Sequence, residues 1–307
     1  MTGGERWAAS ELGALRAGRF VPRAWWRFLR ASFARSASAR EARPELTSQA
    51  RGWSAVGLGA GVALYAWPRI RTPRAGQFAL WWLATAAMLD WHLGMLEGPD
   101  GEHRERLSAA DALTLLRIWS VPLIAAQSSP APFAALIAAA GASDALDGAL
   151  ARRTGPSRLG RDLDTVADAL TSAAAARAGR RAGWLPANAA RLVTLRSVVP
   201  ITVVAAPYFR TGQRPPDDAF GATRRLAPIL LSGFAASPFA PRTGAALIGC
   251  ASIGSLALAS HLTSAASGGK SAARRPGLQA SGGHRSRRPV SVSETSDTLH
   301  QDSLISR

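Results

Sequence analysis

Asp144-Ala145-Leu146-Asp147-Gly148-Ala149-Leu150-Ala151-Arg152, a basic connection, and then Gly160-Arg161-Asp162-Leu163-Asp164-Thr165-Val166-Ala167-Asp168 are the two stretches that decide how the rest of the chain is read. Asp144 and Asp147 are three residues apart and Asp164 and Asp168 four apart, so on helices each pair lies on one face. Two such helices joined by a tight loop bring four carboxylates around one point. At the edge of an apolar environment four anions repel one another and resist desolvation, a conflict that hard divalent cations with a preference for oxygen relieve. Gly148 and Gly160 remove side chains where a nucleotide diphosphate lying across two helices needs to approach the backbone, and Arg152 offers paired N–H donors to phosphate. A single Asp-x-x-Asp is common as a solvated face, and glycine in membrane helices usually serves packing. Four carboxylates, two glycines and an arginine within 25 residues of an apolar region outweigh those plainer readings.

The surroundings of this cluster are apolar and basic at once. Of 307 residues 47% are hydrophobic, yet 37 Lys and Arg stand against 20 Asp and Glu, so the two characters must be segregated along the chain. Arginines flank long apolar runs, which points to anionic lipid headgroups rather than nucleic acid as the partner of the basic excess. The lone Cys250 excludes an intrachain disulfide.

From Ala109 onward apolar runs near 109–127, 131–151, 161–180, 185–208, 225–240 and 242–262 predict a bundle of six membrane helices. Asp111, Arg117, Asp144, Asp147, Asp168, Arg191 and Arg196 lie inside these runs, where an ionisable group facing lipid costs a few kcal/mol. They are therefore expected to face the bundle interior. The basic connections Arg152–Arg161 and Phe209–Arg225 are expected on the cytoplasmic side, with the uncharged Gln127–Pro132 turn outside. Upstream, residues 53–97 hold one or two further hydrophobic helices, the first being the glycine-rich 15-residue run Trp53–Trp67. Arg69, Arg71 and Arg74 on one side, and Arg177, Arg180 and Arg181 on the other, sit against the charge bias of that topology. Residues 1–52 form a basic region in which Trp25, Trp26, Phe28, Leu29 and Phe33 oppose Arg23, Arg27 and Arg30 on a helical wheel, as in a helix lying in a membrane interface. Residues 264–307 are rich in Ser, Gly and Arg and are expected to be a disordered basic tail.

At the two opening stretches the sequence resembles the CDP-alcohol phosphatidyltransferase family, whose signature D-x-x-D-G-x-x-A-R, spacer, G-x-x-x-D-x-x-x-D is matched at every fixed position. The spacer here is seven residues, one fewer than expected. The resemblance extends to Leu113-Thr114-Leu115-Leu116-Arg117 with Pro122, although Asp111 stands where an asparagine is usual, and more weakly to Ala190–Arg196 and Gly221–Arg224. Roughly Ala109–Leu262 is covered, which delimits a catalytic bundle over 109–262.

The resemblance implies a cell-membrane, multi-pass, homodimeric enzyme whose active site faces the cytoplasm and which uses two Mg2+ or Mn2+ ions. It transfers a phosphatidyl group from a CDP-linked lipid such as CDP-diacylglycerol to an alcohol, releasing CMP. Carried over by position, Asp144, Asp147, Asp164 and Asp168 are metal ligands, Asp168 is also the general base, and Thr114, Gly148, Ala151, Arg152 and Gly160 hold the CDP moiety. Arg191 and Arg196 are expected to bind the acceptor, with Arg153 or Arg158 as helpers. An aspartate-rich prenyltransferase needs a second Asp-rich cluster on another helix pair, and an inactive scaffold of the same fold would show loss of a signature Asp. Neither feature is found in the sequence.

Overall fold

Capping residues set where the helices begin. In the computed structural model, which describes residues 2–65, 72–98, 100–155, 157–211 and 224–272, Thr2 caps α1 (Gly3–Ala17) by accepting from the Glu5 N–H while the Glu5 carboxylate accepts from the Thr2 N–H. Proline, which needs no N–H at a first helical position, opens α2 (Pro22–Ala42), α3 (Pro44–Tyr65) and α6 (Pro130–Thr154). Between these, α4 (Ala75–His92) runs into a 3-10 turn at Leu93–Met95, and Ser108 with Asp111 forms the reciprocal cap of α5 (Ala109–Ala126). Ser157 caps α7 (Arg158–Arg181), followed by α8 (Ala187–Thr211), α9 (Ala227–Ala236) and α10 (Pro241–Ala272). Among the described residues there is no β-strand, so the fold is all-α as expected. Residues Met1–Ala266 form one compact unit; of Ser267–Arg307 only the end of α10 is described.

Two helices, α5 and α6, are long and apolar enough to cross a membrane among the described residues. Six spans were expected, and two of the other helices depart from that measure for identifiable reasons. Helix α7 carries Arg158, Arg161, Asp162 and Asp164 in its first two turns. The ten residues of α9 rise only ~15 Å, half the apolar thickness of a bilayer. Helix α3 begins at Pro44 rather than Trp53, so part of the supposed basic region is its first turns, and α10 continues past Leu262 to Ala272. The rest of the expected tail, together with most of the Phe209–Arg225 connection and with Arg69 and Arg71, lies outside the described residues.

Helix α5 is the axis of the bundle, packed chiefly on α7 and α6. Leu115, Ile118, Trp119 and Leu123 of α5 share one apolar cluster with Leu159, Leu163 and Ala167 of α7 and with Phe78, Trp82 and Leu89 of α4. Helices α3 and α4 are therefore part of the same core as the catalytic stretches. Glycine permits this: a Cβ on Gly57 would lie 1.9 Å from the Trp82 ring, and one on Gly61 2.3 Å from Phe78. The Trp82 ring in turn stacks on Trp119 with centroids 4.5 Å apart. Pro122 inside α5 lacks the N–H that would bond the Ile118 carbonyl, and the Trp81 indole N–H of α4 donates to that carbonyl at 2.9 Å.

The N-terminal helices are fastened to the bundle through Glu97. Its carboxylate is fully buried and accepts from the Gly4 N–H at 2.9 and 3.1 Å, with Arg35 at 3.5 Å and Arg158 at 4.0 Å. Its carbonyl accepts from the Arg158 N–H at 2.9 Å. One buried acid thus joins α1, α2 and the start of α7.

Candidate active site

Arg117 is almost fully buried in the middle of α5, and its guanidinium is shared by all four motif aspartates. Nη1 donates to Asp144 at 2.6 Å and Asp168 at 2.7 Å; Nη2 donates to Asp147 and Asp164 at 2.5 Å each. The planar fork of arginine suits this, because two nitrogens diverge toward oxygens on two different helices. The i, i+3 and i, i+4 spacings put each pair on one face of α6 and α7, and the small Ala167 lets those faces close on α5. Asp147 also accepts from the Thr114 hydroxyl at 3.0 Å, and Arg224 approaches Asp164 at 3.0 Å from the solvent side.

Beside this cluster lies a cavity of about 320 Å³ whose lining includes Thr114, Gly148, Ala151, Arg152 and Gly160, the five residues expected to hold CDP, along with Asp147, Asp164 and Arg224. Two helix N-termini open onto it. Ser157 caps α7 by accepting from the Gly160 N–H at 2.8 Å and donates its hydroxyl to Asp111 at 2.7 Å. The other Asp111 oxygen accepts from the Ser108 N–H at 2.8 Å at the start of α5. Asp111 therefore ties the two N-termini together, and both present partial positive charge to the cavity, an arrangement suited to phosphate. The glycines differ. A Cβ on Gly148 would meet only the Arg152 guanidinium, at 3.4 Å, so this position keeps the cavity open; one on Gly160 would lie 2.5 Å from Asp111, so that position also serves the approach of α7 to α5.

Deeper along α7 a second, much smaller cavity of about 20 Å³ is lined by Asp168, Arg117, Thr171, Ser172 and Arg196. Arg196 is buried, donates from Nε to Ser255 of α10 at 3.0 Å and is a Coulombic partner of Asp168. Of the arginines expected around an acceptor, this is the one brought to the cluster. Arg191 is exposed and lines neither cavity, since five residues of α-helix turn it by about 140° from Arg196. Arg153 is exposed, and Arg158 faces Glu97 instead. Two features were not legible beforehand: the role of Arg117 and the contact of Arg224. The sequence marked Arg117 as a charge inside an apolar helix, but spacing says nothing about a partner 27 to 51 residues away.

The family model for CDP-alcohol phosphatidyltransferases matches residues 107–260, half of the chain. This protein is a member of that family. Membership assigns it to the transfer of a phosphate-linked group in phospholipid synthesis, and the matched range contains every helix that lines the two cavities. No curated protein and no solved structure matches the chain.

The family is generally dependent on divalent metal, and the donor set fits one. Asp144, Asp164 and Asp168 each offer a carboxylate oxygen within 4.8 Å of the others. Asp147 stands outside that trio, its Oδ2 held by Thr114 and Arg117. Even counting Arg117, Arg224 and Arg196, four carboxylates face three guanidiniums, so acid exceeds base where hard oxygen ligands converge.

Proposed function

We propose that this family member transfers a phosphatidyl group from a CDP-linked lipid such as CDP-diacylglycerol to an alcohol acceptor and releases CMP. The observation that carries the reading is that the aspartate cluster borders two cavities, Asp147 and Asp164 lining the larger and Asp168 the smaller. The larger is sized and lined for a nucleotide diphosphate, the smaller has room for a hydroxyl-sized group, and Arg117 ties Asp168 of the smaller to Asp147 and Asp164 of the larger.

The CDP moiety occupies the larger cavity, with its pyrophosphate at the N-termini of α5 and α7 and beside Arg152. The acceptor hydroxyl enters from the side of Thr171 and Arg196, and Asp168 takes its proton as the oxygen attacks the β-phosphorus. The new P–O bond forms as the bond to the CMP oxygen breaks, and CMP leaves with that electron pair. Arg196 offers positive charge to the acceptor side. Asp144, Asp164 and Asp168, with Asp147, would hold Mg2+ or Mn2+, which when bound neutralises charge on the pyrophosphate and on the leaving oxygen. Exposed Leu116 and Leu146 on the two span-length helices support a multi-pass protein of the cell membrane. The arginine-rich end that carries the cluster supports a cytoplasm-facing active site.

The test is CMP release from CDP-diacylglycerol by membranes containing the protein, with glycerol 3-phosphate, inositol phosphate, serine and phosphatidylglycerol offered in turn. One acceptor should drive release, and excess EDTA should abolish it. Release undiminished by EDTA, or none with any acceptor, overturns the reading. Arg196→Ala should raise the acceptor KM several-fold and leave the KM for CDP-diacylglycerol nearly unchanged.

A further inference from the structure

Three of the arginines that run against the charge bias of the sequence meet at one place. Arg74 before α4, and Arg177 and Arg181 in the last turns of α7, line a cavity of about 760 Å³, more than twice the 320 Å³ beside the aspartates and at the opposite end of α5 and α7. Its volume falls within the ~300–1,000 Å³ typical of small-molecule sites. Among the described residues no carboxylate lines it. Arg181 is held in place by donating to the Ala125 carbonyl, while Arg74 and Arg177 have no acidic partner among the described residues. Three like charges around one space repel one another, and an anion placed between them removes that repulsion.

The walls say which anion. Trp81, Val121 and Pro122 form an apolar side, and Gln77 and Gln127 bring polar groups to the arginine side. One turn on from Gln77 on α4, Leu80 is 70% exposed, so apolar outer surface of the helix adjoins the Gln77 edge of the cavity. A soluble phosphate would leave that surface unused, whereas a lipid would cover it. We propose that this cavity binds the phosphate headgroup of an anionic membrane phospholipid at a site separate from the aspartate cluster, with the arginines on the phosphate and the acyl chains over the apolar wall. The site does not depend on the transfer reaction, because none of its residues lines either catalytic cavity.

The experiment titrates the full-length protein, in a neutral detergent and in EDTA, with dioctanoyl phosphatidylglycerol, dioctanoyl phosphatidylcholine and inorganic phosphate, reading bound ligand by native mass spectrometry. The wild type should bind the phosphatidylglycerol at least about tenfold more tightly than the phosphatidylcholine, and the double variant Arg74→Gln, Arg177→Gln should lose at least about tenfold in that affinity. Ala126→Trp, which fills the half-buried rim without altering charge, should weaken it as well and covers the case in which the arginine variant fails to fold. Undiminished affinity in the folded variants overturns the site. Equal affinity for the two lipids, or displacement by inorganic phosphate at the lipid's own concentration, overturns the assignment to an anionic lipid. CMP release measured on the same preparations with Mg2+ in place of EDTA reports on the aspartate cluster alone, so failure there leaves this result standing.

Discussion

At the scale of single residues, Arg117 and Asp168 are the pair on which the site turns. Asp168→Asn keeps size and removes the carboxylate proposed as base, so CMP release should fall about 100- to 10,000-fold even at saturating Mg2+. Near-normal turnover would move the base elsewhere. Arg117→Gln removes the shared cation from four carboxylates. Breaking a buried pair costs about 3–5 kcal/mol, and less here because Asp144 and Asp168 are about a third exposed. The variant should therefore melt well below the wild type in EDTA and recover part of the loss in Mg2+, as differential scanning fluorimetry would show; a loss identical with and without Mg2+ would count against metal at this cluster. The glycines should separate cleanly. Gly148→Ala, which meets only a flexible arginine end, should raise the KM for CDP-diacylglycerol with little change in melting temperature. Gly160→Ala, driven against Asp111, should lower the melting temperature itself.

At the scale of elements, the unexpected structural role belongs to α3 and α4. In the glycine-rich run of α3, Gly57 and Gly61 are the sockets for Trp82 and Phe78 of α4, and through the Trp82–Trp119 stack they support the helix that carries Arg117. Overpacking of a fitted contact costs about 1–3 kcal/mol. Gly57→Ala should accordingly destabilise the protein by that amount in thermal unfolding, whereas Gly59→Ala, whose Cβ would meet nothing within 4 Å, should be neutral or slightly stabilising. Equal effects at the two positions would show that helix propensity, not the α3–α4 contact, sets the cost. The pattern of glycine every second residue was visible in the sequence; which of them faced an aromatic ring was not, because that depends on the rotation of α3 against α4.

At the scale of the whole molecule, residues outside the matched range are built into the catalytic half. Glu97 joins α1 and α2 to the first residue of α7, two residues before Gly160, and the α4 side chains share a core with α5 and α7. A fragment covering 107–260 alone should therefore fail to give folded, monodisperse protein in detergent. Glu97→Gln in the full chain should lower the melting temperature, since the half-buried Arg35 and Arg158 lose their buried anion. A stable fragment with full CMP release would refute this view. The homodimer that family resemblance implies should appear as twice the chain mass in light scattering of the detergent-solubilised protein.

What the sequence by itself determined was the local chemistry: helices from apolar runs, and four carboxylates on two joined helical faces with glycine and arginine at fixed offsets. Those follow from spacing, since i, i+3 and i, i+4 positions share a face whatever the rest of the chain does. The tertiary structure decided everything that depends on how helices rotate against one another. It placed Arg117 among the aspartates, turned Arg196 inward and Arg191 out, gave Arg158 to Glu97, and gathered Arg74, Arg177 and Arg181 from two distant helices around one cavity. Contacts of this kind are fixed by the packing of small against large side chains between elements, which no spacing along a single element records.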